Sequence, residues 1–288
     1  MSVFEAIVLG LVQGITEFMP VSSSGHLVLL QKIFGITETA LVFDTAVHGG
    51  TLIAVFVVLR RDIWNILRRI VQPLTLWLII ATIPAVIAAL LFRHRVEEAF
   101  ASASFLAFAF LVTSALLFVS DMLCRNTGKP GGLPARLETA AQSRFQDEVN
   151  LIDALLIGLL QAVAIVPGVS RSGATISAGL FRRLEKDFAA RFSFLLSIPA
   201  ILGALVLQGK DLVKARAAAA AGSELAAMGS IGILPVAAGT IIAAIVAFFS
   251  IRLTLKIVRE HSLLGFSLYT GILGLLILID QFVTHLVF

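Results

Sequence analysis

Three kinds of group that can work on a phosphoryl or acyl centre fall within fourteen residues near the start of the chain. The stretch is Gln13-Gly-Ile-Thr-Glu-Phe-Met-Pro-Val-Ser-Ser-Ser-Gly-His26. It holds a carboxylate (Glu17), three consecutive hydroxyls (Ser22, Ser23, Ser24) and an imidazole (His26). Gln13 and Glu17 are four apart, so on a helix they stack on one face. A carboxylate inside an apolar segment costs about 2.5–3.5 kcal/mol on membrane-insertion scales, which argues for a working role as metal ligand or general base. The plainer alternative is an interfacial Glu at a helix end. His26 can take or give a proton, or attack phosphorus directly. The serines can cap a helix that starts near His26, or Ser23 can be a nucleophile with His26 as its base.

A second stretch repeats this frame 148 residues later: Gln161-Ala-Val-Ala-Ile-Val-Pro-Gly-Val-Ser-Arg-Ser-Gly-Ala174. Without a gap, Gly10, Leu11, Gln13, Val21, Ser22, Ser24 and Gly25 meet Gly158, Leu159, Gln161, Val169, Ser170, Ser172 and Gly173. Ile165 and Ala174 stand where the first copy has Glu17 and His26, and Arg171 stands where it has Ser23. The run Pro167 to Thr175 has the make-up of a phosphate cradle. Its glycines admit a close backbone, a helix start offers N–H groups to an anion, and Ser170, Ser172 and Thr175 offer hydroxyls. Arg171 adds a fork that grips two phosphate oxygens; its structural alternative is an ion pair with Glu17 or Asp44. One copy carries acid/base groups and the other a fixed cation, so together they would make one anion site. Asp44 and His48, on the next apolar run, are further candidates to line the cavity.

The elements that must position these residues are membrane helices. The 288 residues are 58% hydrophobic and only 14% charged, with a mean hydropathy of +0.99; ordinary soluble domains carry about 25% charged residues. Six runs approach the length of a span: 41–59, 75–92, 105–123, 192–207, 231–250 and 265–287. The two motif segments, 3–30 and 151–181, are apolar but broken at Pro20 and at Pro167-Gly168. Each arm is shorter than a span, which predicts a re-entrant helical hairpin; such breaks survive at membrane depth only when buried in protein or lining a cavity. The fold class expected is therefore all-α, a polytopic membrane protein with inverted-topology repeats, about six transmembrane helices and two re-entrant hairpins. A single cysteine, Cys124, excludes an internal disulfide and a cysteine metal site. The formal charge of +4 lies largely in arginines between spans, without basic runs interleaved with aromatics, and gives no nucleic-acid surface.

Those arginines set an expected orientation. Arg60, Arg61, Arg68 and Arg69, the loop 124–150, the segment from Arg182 to Arg191 and the stretch from Arg252 to Arg259 all fall on one side, which should be cytoplasmic. The two hairpins then enter from opposite faces, the arrangement that places a site at the membrane midplane between repeats. Domain boundaries follow: a first repeat over 1–123, a cytoplasmic linker over 124–150 and a second repeat over 151–288. Gly50-Thr-Leu-Ile-Ala54 against Gly239-Thr-Ile-Ile-Ala243 reads as a further echo of the repeat, its larger offset fitting an insertion over 208–230 that carries an extracytoplasmic Ala-rich helix.

The two motifs together resemble those of the undecaprenyl-diphosphate phosphatase family, the bacitracin-resistance proteins, and the likeness runs through essentially the whole chain. The family's Glu/Gln-x-x-x-Glu is here Gln13 and Glu17, its Pro-Val-Ser-Ser-x-Gly-His is Pro20 to His26, and its Pro-Gly-x-Ser-Arg-Ser-x-x-Thr is Pro167 to Thr175. The resemblance implies hydrolysis of undecaprenyl diphosphate to the monophosphate and inorganic phosphate. That reaction recycles the lipid carrier of cell-wall synthesis and underlies bacitracin resistance. It implies a divalent cation, Mg²⁺ or Ca²⁺, held by Glu17 and Gln13, and a bacterial inner-membrane location with the site open to the periplasm. It also implies a homodimer. Glu17, His26, Ser23 and Arg171 take catalytic roles on this reading, and Ser22, Ser24, Ser170, Arg171, Ser172 and Thr175 bind phosphate. Gln13 stands where many relatives have a first Glu, so a mechanism needing two carboxylates at this place does not transfer. The rival function is a lipid-phosphate flippase or secondary transporter, since inverted repeats with broken helices are also a transporter arrangement.

Overall fold

The computed structural model describes residues 1–36, 41–92, 103–126, 149–220 and 232–287. Most of the expected linker, part of the insertion and the basic residues Arg93 and Arg95 lie outside the described residues. Among the described residues eleven α-helices run in chain order: α1 (Val3–Thr16), α2 (Ser23–Ile33), α3 (Leu41–Val58), α4 (Arg60–Arg68), α5 (Pro73–Leu91), α6 (Ala103–Asn126), α7 (Leu151–Val163), α8 (Arg171–Phe181), α9 (Lys186–Ala220), α10 (Ile233–Glu260) and α11 (Leu264–Ile279). A π-helical turn, Asp280–Thr284, follows α11. Among the described residues five helices are long and apolar enough to cross a membrane, or six when the bent pair α3–α4 is taken as one. The protein is an all-helical, multi-pass membrane protein.

The two broken segments fold alike, down to their ends. Shifted by 148 residues, α1 and α2 begin where α7 and α8 begin. Each first arm opens with a capping box, Ser2 with Glu5 and Asn150 with Asp153, so two otherwise orphaned N–H groups are satisfied reciprocally. Each second arm opens on a serine whose hydroxyl accepts from the N–H three residues on: Ser22 from Gly25 and Ser170 from Gly173. Proline and glycine in the breaks, followed by a capping serine, are why the helices stop and restart there.

What holds the hairpins is a cross-over of halves. First arm α1 packs on α10, from the second half, and first arm α7 packs on α5, from the first half. Likewise α3 packs on α10 and α9 on α5, while α6 and α11 pack together. Both arm crossings need glycine at the same repeat position. A Cβ on Gly10 would stand 2.3 Å from the Gly239 carbonyl oxygen, and one on Gly158 would stand 2.6 Å from that of Ala81. Small residues allow such approach where lipid gives no hydrophobic drive between helices.

Three sequence expectations are corrected. The Gly50 and Gly239 pentapeptides are not repeat equivalents: α3 is the first span of its half and α10 the second span of the other. They are two sides of one crossing, in which a Cβ on Gly50 would meet the Thr240 carbonyl oxygen at 2.6 Å; small residues recur there because both backbones come close. The expected Ala-rich helix is not separate either. With no proline between the 192–207 run and Ala220, α9 runs unbroken for 35 residues through Pro199. At 1.5 Å per residue it is about 52 Å long, against a hydrocarbon core of about 30 Å. Finally, the arginines expected as a connection after the 41–59 run lie in a helix of their own: α4 turns 76° away from α3 and carries Trp64 and Leu67 exposed among Arg60, Arg61 and Arg68.

Candidate active site

The breaks of the two hairpins meet. The Gly168 amide of the second donates to Ser24 Oγ of the first at 3.3 Å, and the Ser172 hydroxyl donates to the Met19 carbonyl at 2.8 Å. The tips touch so closely that a Cβ on Gly25 would lie 3.2 Å from the Gly168 Cα and 2.6 Å from the Phe110 ring of α6. Gly168 itself adopts φ +89, a conformation other residues rarely reach.

Glu17 sits at this junction, at the C-terminal end of α1, with its side chain only 4% exposed. The Arg171 guanidinium of the second tip donates through Nη2 to Glu17 Oε1. Ser23 Oγ donates to Oε2 at 2.6 Å and Gln13 Nε2 to the same oxygen at 2.9 Å. His48 of α3 brings its Nε2 to 3.7 Å from Oε2; its Nδ1 bonds the Asp44 carbonyl at 2.6 Å, while the Asp44 carboxylate accepts from Gln31 at 2.8 Å. One buried carboxylate thus gathers an arginine, a serine, an amide and an imidazole from four helices. Desolvating such a charge is tolerable only because it is paired, and removing one partner of a buried pair costs about 3–5 kcal/mol. The expected meeting of Glu17 with Arg171 is present in the fold.

The other expected residues fall around this cluster. Ser22 and Ser170 cap their helices, Ser170 Oγ also meeting Ser172 Oγ at 3.2 Å. Ser24 and Ser172 join the two tips. Thr175 Oγ1 bonds back to the Arg171 carbonyl at 2.9 Å and lies 2.6 Å from Ser193 Oγ, one turn inside α8. The pairing of Ser23 with His26 is not what the structure builds, because Ser23 Oγ is turned to Glu17. His26 Nδ1 lies 2.6 Å from the Ser22 carbonyl oxygen and Nε2 lies 2.6 Å from Tyr269 Oη. An imidazole at the start of α2 finds the carbonyl of the capping residue one turn back nearer than a hydroxyl beside it. Tyr269 escaped the sequence reading; its signal was that it is the chain's only tyrosine and lies inside an apolar span.

A cation fits beside Glu17 on one observation: Gln13 Oε1 is buried and has no hydrogen-bond partner, next to a carboxylate. Amide and carboxylate oxygens are the donors hard divalent ions prefer. No cluster of three or more His, Cys, Asp or Glu suited to a metal occurs among the described residues, so substrate oxygens and water would have to complete the shell.

Known proteins bear directly on this arrangement. The family model described as bacitracin resistance protein BacA matches residues 6–276. The undecaprenyl-diphosphatase of Carboxydothermus hydrogenoformans is 40% identical over 281 residues, covering 98% of each chain. Undecaprenyl-diphosphatase 3 of Bacillus cereus (strain ATCC 14579) is 36% identical over 282 residues, again 98% of each. The undecaprenyl-diphosphatase of Methanosphaera stadtmanae is 35% identical over 301 residues, 97% of this chain and 98% of that one.

Proposed function

The chain belongs to the bacitracin resistance protein BacA family, and from that premise we propose how its two hairpin tips carry out the reaction. It is an undecaprenyl-diphosphatase, a membrane phosphatase that hydrolyses undecaprenyl diphosphate to undecaprenyl phosphate and inorganic phosphate. The observation that carries the mechanism is that Ser23 and Arg171, from opposite hairpins, share one buried carboxylate, Glu17.

The prenyl tail stays in lipid while the diphosphate enters between the tips. Arg171 exchanges Glu17 for phosphate oxygens, its planar fork matching two of them. Ser23 Oγ attacks the terminal phosphorus as its proton passes to Glu17. A bond from Oγ to phosphorus forms, and the bridging oxygen leaves with its electron pair on undecaprenyl phosphate, which takes the proton from Glu17. Water then attacks the phosphoserine, losing a proton to Glu17. Inorganic phosphate departs, and the Ser23 oxygen recovers that proton. Positioning and charge neutralisation are what phosphoryl transfer chiefly needs. His26 is not the nucleophile in this reading, because its Nε2 is occupied by Tyr269. A divalent cation, Mg²⁺ or Ca²⁺, would be held by Glu17 and Gln13 Oε1, and when bound would add positive charge beside the terminal phosphate. The site faces the periplasm, away from the arginine-rich α4. The lipid carrier is thereby returned to cell-wall synthesis.

The test is phosphate release from undecaprenyl diphosphate by purified protein in detergent, with and without EDTA, in the wild type and in Glu17→Ala, Ser23→Ala and Arg171→Ala. Rapid quenching of ³²P-labelled substrate should leave label on Ser23 in the wild type. Ser23→Ala with wild-type turnover would remove the nucleophile assignment, and insensitivity to EDTA would remove the cation.

A further inference from the structure

We propose that Tyr269 is a positioning residue for this reaction: it fixes His26, and His26 braces the Ser22 carbonyl so that Ser23 is displayed to Glu17. The proposal rests on the phosphatase reading above and concerns how its nucleophile is held.

A carbonyl oxygen only accepts, so the nitrogen 2.6 Å from the Ser22 carbonyl, Nδ1, carries the proton. In the neutral ring Nε2 then presents a lone pair, and the Tyr269 hydroxyl donates into it at 2.6 Å. The two rings lie almost parallel, 7° apart with centroids 5.7 Å apart, and the Phe110 edge closes the other flank at 5.4 Å and 85°. The imidazole is therefore held on both nitrogens and on two sides. The His26 backbone N–H meets the same Ser22 carbonyl at 3.3 Å, so this one residue grips it twice.

The grip has a visible object. Ser22 has φ +71, one of only three non-glycine residues with positive φ among the described residues. Its repeat counterpart, Ser170, caps its helix at an ordinary φ of −70. From Pro20 to His26 the hairpins differ at three places, Pro20 against Gly168, Ser23 against Arg171 and His26 against Ala174, and of these side chains His26 is the one that bonds the Ser22 carbonyl. A non-glycine residue holds a left-handed conformation only where its surroundings over-determine it. Here the hydrogen bonds of His26 supply that constraint, one residue before the nucleophile.

Tyr269 can serve as the outer anchor because α11 is pinned beside it. Ser114 Oγ donates to the Ser267 carbonyl at 2.7 Å, and Ser267 Oγ donates back to the Ser114 carbonyl at 2.8 Å. The tyrosine is 47% exposed, between the outward Leu268 and Ile272. Its hydroxyl nevertheless turns inward to the hairpin.

The experiment is Tyr269→Phe, which removes the hydroxyl and keeps the ring. It is assayed for turnover of undecaprenyl diphosphate and read separately by ¹⁵N NMR of histidine-labelled protein, with His26 assigned from its loss in His26→Gln. The expected result is a kcat about 10-fold or more lower, within the roughly 10²-fold that misplacing a reacting group can cost, with KM within about twofold. The Nδ1–H signature of His26 should give way to a mixture of tautomers, and in a His26→Gln background Tyr269→Phe should add nothing further. An unchanged kcat, a loss carried by KM alone, additive effects, or an unaltered His26 tautomer overturns the brace. Wild-type protein that releases no phosphate overturns the phosphatase reading and the catalytic part of this proposal with it. That outcome is told apart because the NMR comparison does not depend on turnover.

Discussion

The two hairpins share helix ends, caps, breaks and the glycine at which each crosses the opposite half, and they do different work. The first holds Glu17, Ser23 and His26, a carboxylate, a hydroxyl and an imidazole that can move protons. The second holds one permanent cation, Arg171, with Ile165 and Ala174 in place of the other two. What the fold duplicates is a way of bringing a helix start to the middle of the molecule, and what it divides is charge. A duplicated acid would set two carboxylates against each other, and a duplicated arginine two cations. Splitting the roles lets each tip neutralise the other before substrate arrives, as the Glu17–Arg171 pair does.

The division of charge between the tips depends most on the shared carboxylate. Glu17→Gln keeps the shape and removes both the base and the counter-charge. Loss of a general base typically costs 10²–10⁴-fold, and a fall of about 10³-fold in kcat is expected here. Leaving the half-buried Arg171 without its partner should also lower the thermal midpoint. Both are read on detergent-purified protein, with turnover normalised to the folded fraction. Wild-type kcat in Glu17→Gln would place the base elsewhere.

The partner charge comes next. Arg171→Ala should lower kcat about 10²–10³-fold, the scale of removing one preorganised donor to a developing oxyanion. Arg171→Lys should retain more, near a 10-fold loss, because an ammonium keeps the charge but not the fork. If lysine and alanine behave alike, geometry and not charge is what the second tip contributes.

How much of this could be read before the fold was known follows the same division. The hairpins, the cation–carboxylate meeting and the number of spans lay in periodicity, breakers and charge bias, because membrane helices must satisfy their own backbone. The direction of each side chain did not. Ser23 and His26 are three apart and looked like a pair, yet one turns to α1 and the other to α11, since the choice depends on neighbours far along the chain. Tyr269 lies 243 residues from His26, a separation that local pattern does not resolve. Small-residue runs such as Gly50 to Ala54 were legible as special and misleading as to why. Close packing and ancestry leave the same mark.

A smaller effect separates a braced hairpin from a relaxed one. His26→Ala makes the first hairpin resemble the second at position 174, and it should lower kcat about 10²-fold, the scale on which a misplaced reacting group loses rate. Adding Ser22→Gly removes the steric objection to φ +71, at a capping cost of only a few tenths of a kcal/mol. The double variant should recover several-fold of the lost kcat. No recovery would mean that His26 takes part in bond making, and the contrast between Ser22 and Ser170 would then be incidental.

The smallest expected change tests whether the second hairpin has kept a site of its own. Gln13 and Gln161 are repeat counterparts, both buried. Gln13 donates to Glu17, whereas neither amide atom of Gln161 has a protein partner. The carboxylate it would face is Ile165, so the amide is a remnant of the shared frame. Replacing an unpaired buried polar group by an apolar one of similar shape is nearly neutral or stabilising. Gln161→Leu should therefore leave kcat unchanged and hold or raise the thermal midpoint. Gln13→Leu should lower kcat and, by removing a cation oxygen, raise the Mg²⁺ or Ca²⁺ concentration needed for half-maximal rate. A Gln161→Leu protein that loses several degrees of stability would show that something polar is bound there. The division of labour would then be incomplete, because a hairpin that had handed over its chemistry would still be using the residue that chemistry left behind.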